Sequence, residues 1–462
     1  MSASAAFGKT FVLRSLVDTM TILFLIVAVV LIVLLTARFS LHPFLSLLIV
    51  SLLYGFLTGM PLEHIISSIN DGFGGTLGKI GLIIVLGIII GTFLENSGAA
   101  YTLADAVLKV IGRERVVAAM GIIGYFISIP VFADSGFLLV APLNKSLSKK
   151  AGISLAGSAI ALGLGLTASH TMVPPTPGPV AAAGILGADV GLVMLLGIPV
   201  AALAMIPGLL FAMKYASKTY IDPNPQMTQA EIEAQAHDAP RVMKSSLPVV
   251  VPIALIILKS VSAQSGFIQD ARVNAILSFL GEPAIALLIG VFLALTLPKK
   301  LSSEMVSAEG WVGKSLRDAS SILLITGAGG IFGKILQNSG IADSVGDMLI
   351  DLRVGILLPF LIAAAIKIAQ GSSTVAMITA ASVIAPMMAS LGFDTEVGKA
   401  LVVIALGAGS VVVSHANDSF FWVVTQMSGM NVKTGYRLHT FGTLVLGVAA
   451  ALAVFLSSLF LV

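Results

Sequence analysis

The 462-residue chain contains no cysteine. Disulfides, thiolate nucleophiles and zinc–thiolate sites are therefore excluded. Charge is nearly as scarce: Asp, Glu, Lys and Arg make up 11% of the residues, against roughly 25% in a soluble domain. No basic patch interleaved with aromatics is present, so nucleic acid is not an expected partner. H-E-x-x-H, Walker and G-x-S-x-G signatures are all missing. The chain is therefore not expected to be an enzyme, and neither a metal nor a cofactor is expected. Without an ATPase motif, uphill transport would have to draw on an ion gradient.

What the chain has is apolar sequence. Hydrophobic residues are 57% of the total, and the mean hydropathy is +1.03. The apolar runs, about 16 to 25 residues long, suit helices crossing a hydrocarbon core of roughly 30 Å. The alternating ten-residue segments of a β-barrel do not occur. An all-α polytopic membrane protein is expected, with the lipid bilayer as a partner. The net charge of +3 fits basic cytoplasmic loops. The stretch from Met20 to Leu35 is too long for a signal-peptide core and lacks an A-x-A site, so it is read as an uncleaved first span.

Twelve spans are expected, near 19–37, 42–60, 79–95, 116–133, 154–170, 189–213, 246–263, 283–298, 319–336, 354–369, 398–414 and 438–461. Residues 134–150, 171–188 and 370–392 are too short or too broken for ordinary spans. Such segments suit re-entrant hairpins and interrupted helices, which survive at membrane depth only where they line a cavity. Residues 215–245 carry DPNPQ and a charged run, and read as a hydrophilic linker between an N-terminal half, 1–214, and a C-terminal half, 246–462.

The two halves repeat. LENSGAAYTLADAVLKVIG resembles LQNSGIADSVGDMLIDL, placing Asn96 on Asn338 at an offset of 242. Pro142 maps to Pro386 and Gly163 to Gly407 at 244, and His170 to His415 at 245. Repeats that frame a midplane site with broken helices are commonly inverted, and that arrangement is expected here.

Each Ser-His pair, Ser169-His170 and Ser414-His415, ends a Gly-rich apolar run and opens onto a helix-breaking segment. An ionised side chain at mid-bilayer costs about 3 kcal/mol on insertion scales, so both histidines are candidate proton-coupling or substrate-contacting groups. Asp134, alone between Arg115 and Lys145 as a charge, is a candidate proton carrier; its plainer role is a helix cap. Gly371, Ser372, Ser373 and Thr374 form a small, hydroxyl-rich helix start, where free N–H groups and the helix dipole favour a carboxylate. Lys367, one turn earlier, contributes charge or snorkels to the interface. VPPTPGP cannot continue a helix, and in ANDSFFW Asn417 and Asp418 bring an amide and a carboxylate beside His415. The glycine runs at 161–165 and 405–409 read as close helix packing.

With these motifs the chain resembles the gluconate permease family. The matching stretches are PVFADSGFLLVAP, SH followed by VPPTPGPVAAAGILGADVG, IAQGSSTVA and GAGSVVVSHANDSFFW, and the likeness runs over nearly all of the chain after Asp18. The resemblance implies a bacterial inner-membrane symporter that takes up gluconate or a related small 2-hydroxy-carboxylate with protons. Asp134, His170, His415 and Asp418 would couple protons. Ser135, Gly136, Thr176, Gly178, Gly371 to Thr374 and Asn417 would meet the substrate. Thr176, Ser135 and Ser419-Phe420 depart from the family pattern, where histidine, a hydrophobic residue and Pro-Gly are expected. Sodium in place of protons, and a homodimer, are left open. A cation/proton antiporter, or an ion-coupled carrier of D-serine or a dicarboxylate, is the alternative; a membrane-embedded His-Asp enzyme is disfavoured by the missing motifs.

Overall fold

The computed structural model describes residues 20, 23–112, 115–223, 239–265, 270–341 and 355–462. Every regular element among them is helical. Much of the linker expected over 215–245 lies outside the described residues. Its first residues are pinned to the body, because Ile221 N–H donates to Ser154 Oγ at 2.9 Å and Ser154 Oγ donates to the Thr219 carbonyl at 2.7 Å.

The N-terminal half runs α1 (Leu23–Thr36), α2 (Pro43–Leu57), α3 (Leu62–Asn96) and α4 (Ala99–Ile111). It continues through α5 (Val116–Ile127), α6 (Ala133–Lys150), α7 (Leu155–Met172), α8 (Pro177–Leu186) and α9 (Val190–Lys214). The C-terminal half runs α10 (Val242–Ser265), α11 (Ala271–Leu280), α12 (Pro283–Leu295) and α13 (Trp311–Asn338). Then follow α14 (Leu357–Gln370), α15 (Ser373–Ile384), α16 (Glu396–Val411), α17 (Ser419–Met427) and α18 (Val432–Leu461).

Six helices among the described residues are long and apolar enough to cross a bilayer, or seven if the bent pair α11–α12 is one span. The expected twelve is therefore not reproduced. Two of the twelve, 116–133 and 354–369, are limbs of hairpins. α5 and α14 stop inside the protein, at tips that turn back into α6 and α15. In the other direction α3 is longer than its apolar run. It continues through the glycines at 72–78, and at Gly72 the missing side chain lets α13 come close, since a Cβ there would strike the backbone of Gly330 and Ile331.

α7 and α16 form the centre. In α7 every residue except His170 is buried, and 94% of an 18-residue apolar stretch of the α7–α8 span is buried. Such a helix needs no polar face; it needs small residues where neighbours cross. A Cβ on Gly165 would meet the backbone of Gly121 in α5, and one on Gly407 would meet the backbone of Thr171. Packing is what these glycines do. Asp189, the one acid in this apolar region, caps α9: its Oδ1 accepts from Leu192 N–H at 2.7 Å and from Ser260 Oγ at 2.6 Å.

The same packings occur twice. α5 lies on α7 as α14 lies on α16, and α7 on α9 as α16 on α18. Across the halves, α8 packs on hairpin limb α15, while α17 packs on hairpin limb α6. The matched helices α3 and α13 run antiparallel: Asn338 Nδ2 donates to Ser68 Oγ at 2.8 Å, and Ser315 Oγ to Thr92 Oγ1 at 2.9 Å. α9 and α18 are antiparallel too. Arg437 near the start of α18 bonds Thr219, just past the end of α9, at 2.7 Å, and Phe211 meets Phe441 at 5.6 Å.

Candidate functional site

Two hairpin tips and the α16–α17 break converge on one polar cavity of about 380 Å³. The N-terminal half contributes Phe132 to Asp134 from the first tip, with Thr167 and His170 from α7. The C-terminal half contributes Lys367, the second tip from Gln370 to Thr374, and the break residues Ser414 and Asn417 to Phe420.

The second tip exists because Gly371 adopts φ +94°, a conformation L-residues rarely take. A Cβ there would also strike the Asn417 backbone. Gln370 then brackets the turn: its Oε1 accepts from Ser372 N–H at 3.2 Å and its Nε2 donates to the Ser372 carbonyl at 2.5 Å. Ser372 caps α15 by accepting from Val375 N–H at 3.3 Å. Ser373 Oγ donates to the Ser410 carbonyl at 2.8 Å, tying the tip to α16. The result is a helix start whose leading amides and hydroxyls sit in the cavity wall, a geometry suited to an anion.

Behind that wall lies a buried charge cluster. Lys367 is 2% exposed. Its ammonium donates to the Gly371 carbonyl and, at 2.6 Å, to Asp418 Oδ2. Asp418 caps α17 through Oδ1, which accepts from Phe420 N–H at 3.0 Å. Its Oδ2 also accepts from Ser414 Oγ at 2.5 Å. With that hydroxyl proton committed, Ser414 Oγ accepts from His439 Nε2 at 3.1 Å, so Nε2 carries the hydrogen. An unpaired charge at this depth would be costly, and three ligands on one carboxylate remove that penalty.

The opposite wall is unsatisfied. Asp134 lies in the first turn of α6, and its Oδ1 is buried with no hydrogen-bond partner among the described residues. His170 Nδ1 is buried in the same condition, with the Phe132 ring 5.9 Å away. Buried polar atoms ordinarily find partners, and both of these orphans lie at the same cavity.

Asp134, His170, Asp418, Asn417 and Gly371 to Thr374 thus meet at one cavity. The other sequence candidates stand elsewhere. His415 donates through Nε2 to the Ile368 carbonyl at 2.8 Å and stacks over Tyr436. Asn417, although at the cavity edge, spends its Nδ2 on the same carbonyl at 2.9 Å. Thr176 donates to the Val173 carbonyl at 2.6 Å, beside a separate void of about 10 Å³. Gly178 packs against Met377 and Thr374, and Gly136 against Leu166. Ser135 is half-buried next to Asp134 but outside the lining.

Lys367, Ser414, Thr167 and His439 belong to the cavity or its charge cluster without being among the site residues expected from sequence. Lys367 is the sole charge between Arg353 and Asp394, and that isolation was the available signal. His439 sits beside Arg437 in a stretch that reads as a basic helix end; nothing local marks it.

Comparison with known proteins accords with this architecture. The model for GntP family permeases matches residues 20–460. The chain belongs to the GntP permease family. A gluconate permease of Pseudomonas aeruginosa is 35% identical over 448 residues, covering 96% of this chain and 99% of that one. A D-serine transporter of Escherichia coli (strain CFT073) is 33% identical, covering 94% of this chain and 97% of its own length. The crystal structure of the Alcanivorax borkumensis YdaH transporter superposes with a TM-score of 0.63 at 16% identity, over 93% of this chain and 98% of that one. This GntP-family chain is a multi-pass inner-membrane protein, a transporter and not an enzyme.

Proposed function

We propose that this permease takes up gluconate, or a related small 2-hydroxy-carboxylate, by proton-coupled symport. The observation that carries the reading is the two-walled cavity: anion donors at the start of α15 face an unpartnered carboxyl and imidazole, Asp134 and His170. The volume of about 380 Å³ is at the small end of ligand sites, roughly 300–1,000 Å³, which suits a six-carbon acid. The substrate carboxylate sits at Ser372 to Thr374, and its hydroxyls reach Asn417 and Ser419. Asp134 and His170 take the coupling protons. Asp418 is already held by Lys367 and Ser414, and His415 by a carbonyl, so both serve the frame more than the proton path. One proton per monoanion is electroneutral and draws on the pH gradient. A second proton adds about 2.3 kcal/mol per 100 mV of membrane potential.

The transport cycle follows from inverted repeats. If the short apolar helices α1 and α2 and the broken pairs α11–α12 and α16–α17 are counted with the long spans as crossings, each half has three before its hairpin and two after it. Five crossings, an odd number, turn the second half upside down. The antiparallel packing of α3 on α13 and of α9 on α18 supports this, and alternating access then arises by rocking around the central site.

One observation favours a second substrate. An ionised Asp134 opposite a carboxylate-binding helix start would also hold the ammonium of a small amino acid, and the relative from E. coli is a D-serine transporter. Uptake of labelled gluconate into proteoliposomes under an imposed pH gradient, with D-serine as competitor, decides. Accumulation that D-serine does not reduce supports the first reading. Accumulation of D-serine alone replaces it, and cation flux without either solute overturns both.

A further inference from the structure

We infer that Lys367 is a built-in cation of the transport site, whose ammonium occupies the seat that a bound coupling cation such as sodium would otherwise take. The inference rests on the symport reading above and deepens it.

The seat has the features of a monovalent-cation site. A helix is interrupted at Gly371, freeing its carbonyl, and a second helix is interrupted just before Asp418, bringing in a carboxylate. Unwound carbonyls and half-helix ends at midplane are where transporters hold sodium. Here Lys367 Nζ lies between the Gly371 carbonyl and Asp418 Oδ2, and its four-carbon stem comes from α14 within the same hairpin. An ammonium has three donors, so one N–H remains after these two bonds. The charge is also mechanically placed, because it joins the hairpin tip to the helix break. His415 and Asn417 fasten the same end of α14 through the Ile368 carbonyl.

At an offset of 244, Lys367 falls on Ile123 and Asp418 on Pro174, so the N-terminal half repeats neither charge of the pair. Its acid at the cavity, Asp134 at the start of α6, has an orphan oxygen instead of an ion pair. The titratable groups around the site divide accordingly. Asp418 is committed to Lys367, His439 reaches it through Ser414, and His415 is spent on backbone. Asp134 and His170 across the cavity are left to change state. One half carries a permanent charge and the other a loadable one, so the carrier needs no sodium.

The test has two arms. In proteoliposomes, gluconate uptake by the wild type is unchanged when sodium is replaced by choline, and Lys367→Ala lowers it at least about tenfold, because Asp418 is left as a buried, uncompensated charge at the site. In detergent, the wild-type melting temperature is the same in sodium and choline chloride. Lys367→Ala, with its seat open and Asp418 uncompensated, gains a sodium-dependent rise, because a ligand bound only by the folded state stabilises it. If Lys367→Ala does not fold, Lys367→Met with Asp418→Asn removes both charges; this variant folds, melts without a sodium response and does not accumulate substrate. Sodium-dependent uptake or melting in the wild type overturns the inference, as does wild-type accumulation by either variant. Failure of the wild type to take up any sugar acid sinks the symport reading alone, since the melting arm needs no substrate.

Discussion

At the scale of single residues the cavity separates groups with partners from groups without. Asp134 belongs to the second kind, so its replacement should disturb chemistry more than folding. Asp134→Asn is expected to abolish accumulation driven by a pH gradient while leaving solute exchange across the membrane intact. Counterflow measured without any gradient checks this, and loss of counterflow would assign Asp134 to substrate binding. Thr374 makes a different prediction. It lines the cavity at the start of α15, and Thr374→Val keeps the volume but removes a hydroxyl. Losing one hydrogen bond to a charged group costs about 1.5–3 kcal/mol, so the half-saturation concentration should rise at least about tenfold with the melting temperature nearly unchanged. His415 illustrates what sequence could not resolve. Its place in the repeat matches that of His170, yet one imidazole faces the cavity and the other holds a backbone carbonyl. The difference lies in the break that follows: prolines after one, a tight 415–418 turn after the other, in which Asp418 N–H donates to the His415 carbonyl at 2.8 Å.

At the scale of elements, glycine sets how close the helices come. A side chain at Gly407 would strike the Thr171 backbone, where the two central helices cross. Gly407→Val should therefore destabilise the protein by about 1–3 kcal/mol through overpacking, read as a lower melting temperature and less folded protein in the membrane. Gly371→Ala carries a double penalty, a positive φ and a clash with Asn417; it should open the hairpin tip and remove substrate-induced stabilisation. The hairpins were legible as hydroxyl- and glycine-rich interruptions, and the Ser-His pairs as helix ends. The limbs α5 and α14 were not, because an apolar limb that stops inside the protein has the same composition as one that crosses a bilayer. Only the position of its tip distinguishes the two.

At the scale of the molecule, the repeat organises everything else. If the halves are inverted, the ends of α9 and α18 emerge on opposite faces of the membrane. The chain has no cysteine of its own, so single thiols can be introduced without background. Lys218→Cys and Val462→Cys should react oppositely with an impermeant maleimide applied to intact cells, and labelling of both from one side would mean parallel repeats.

The sequence alone determined the membrane class, because so few charges among so many apolar residues leave no other solvent for the helices. It also located the breaks, because proline and glycine act on the local backbone, and it showed the duplication, because offsets near 244 survive in plain residue order. Tertiary structure decided which candidates share a site. Lys367 and Asp418 are 51 positions apart and His439 another 21 from Asp418, and their contacts depend on two independent breaks meeting. Whether a buried polar group is a partner in the frame or an open hand to the substrate is set by what packs opposite it, which no local pattern encodes.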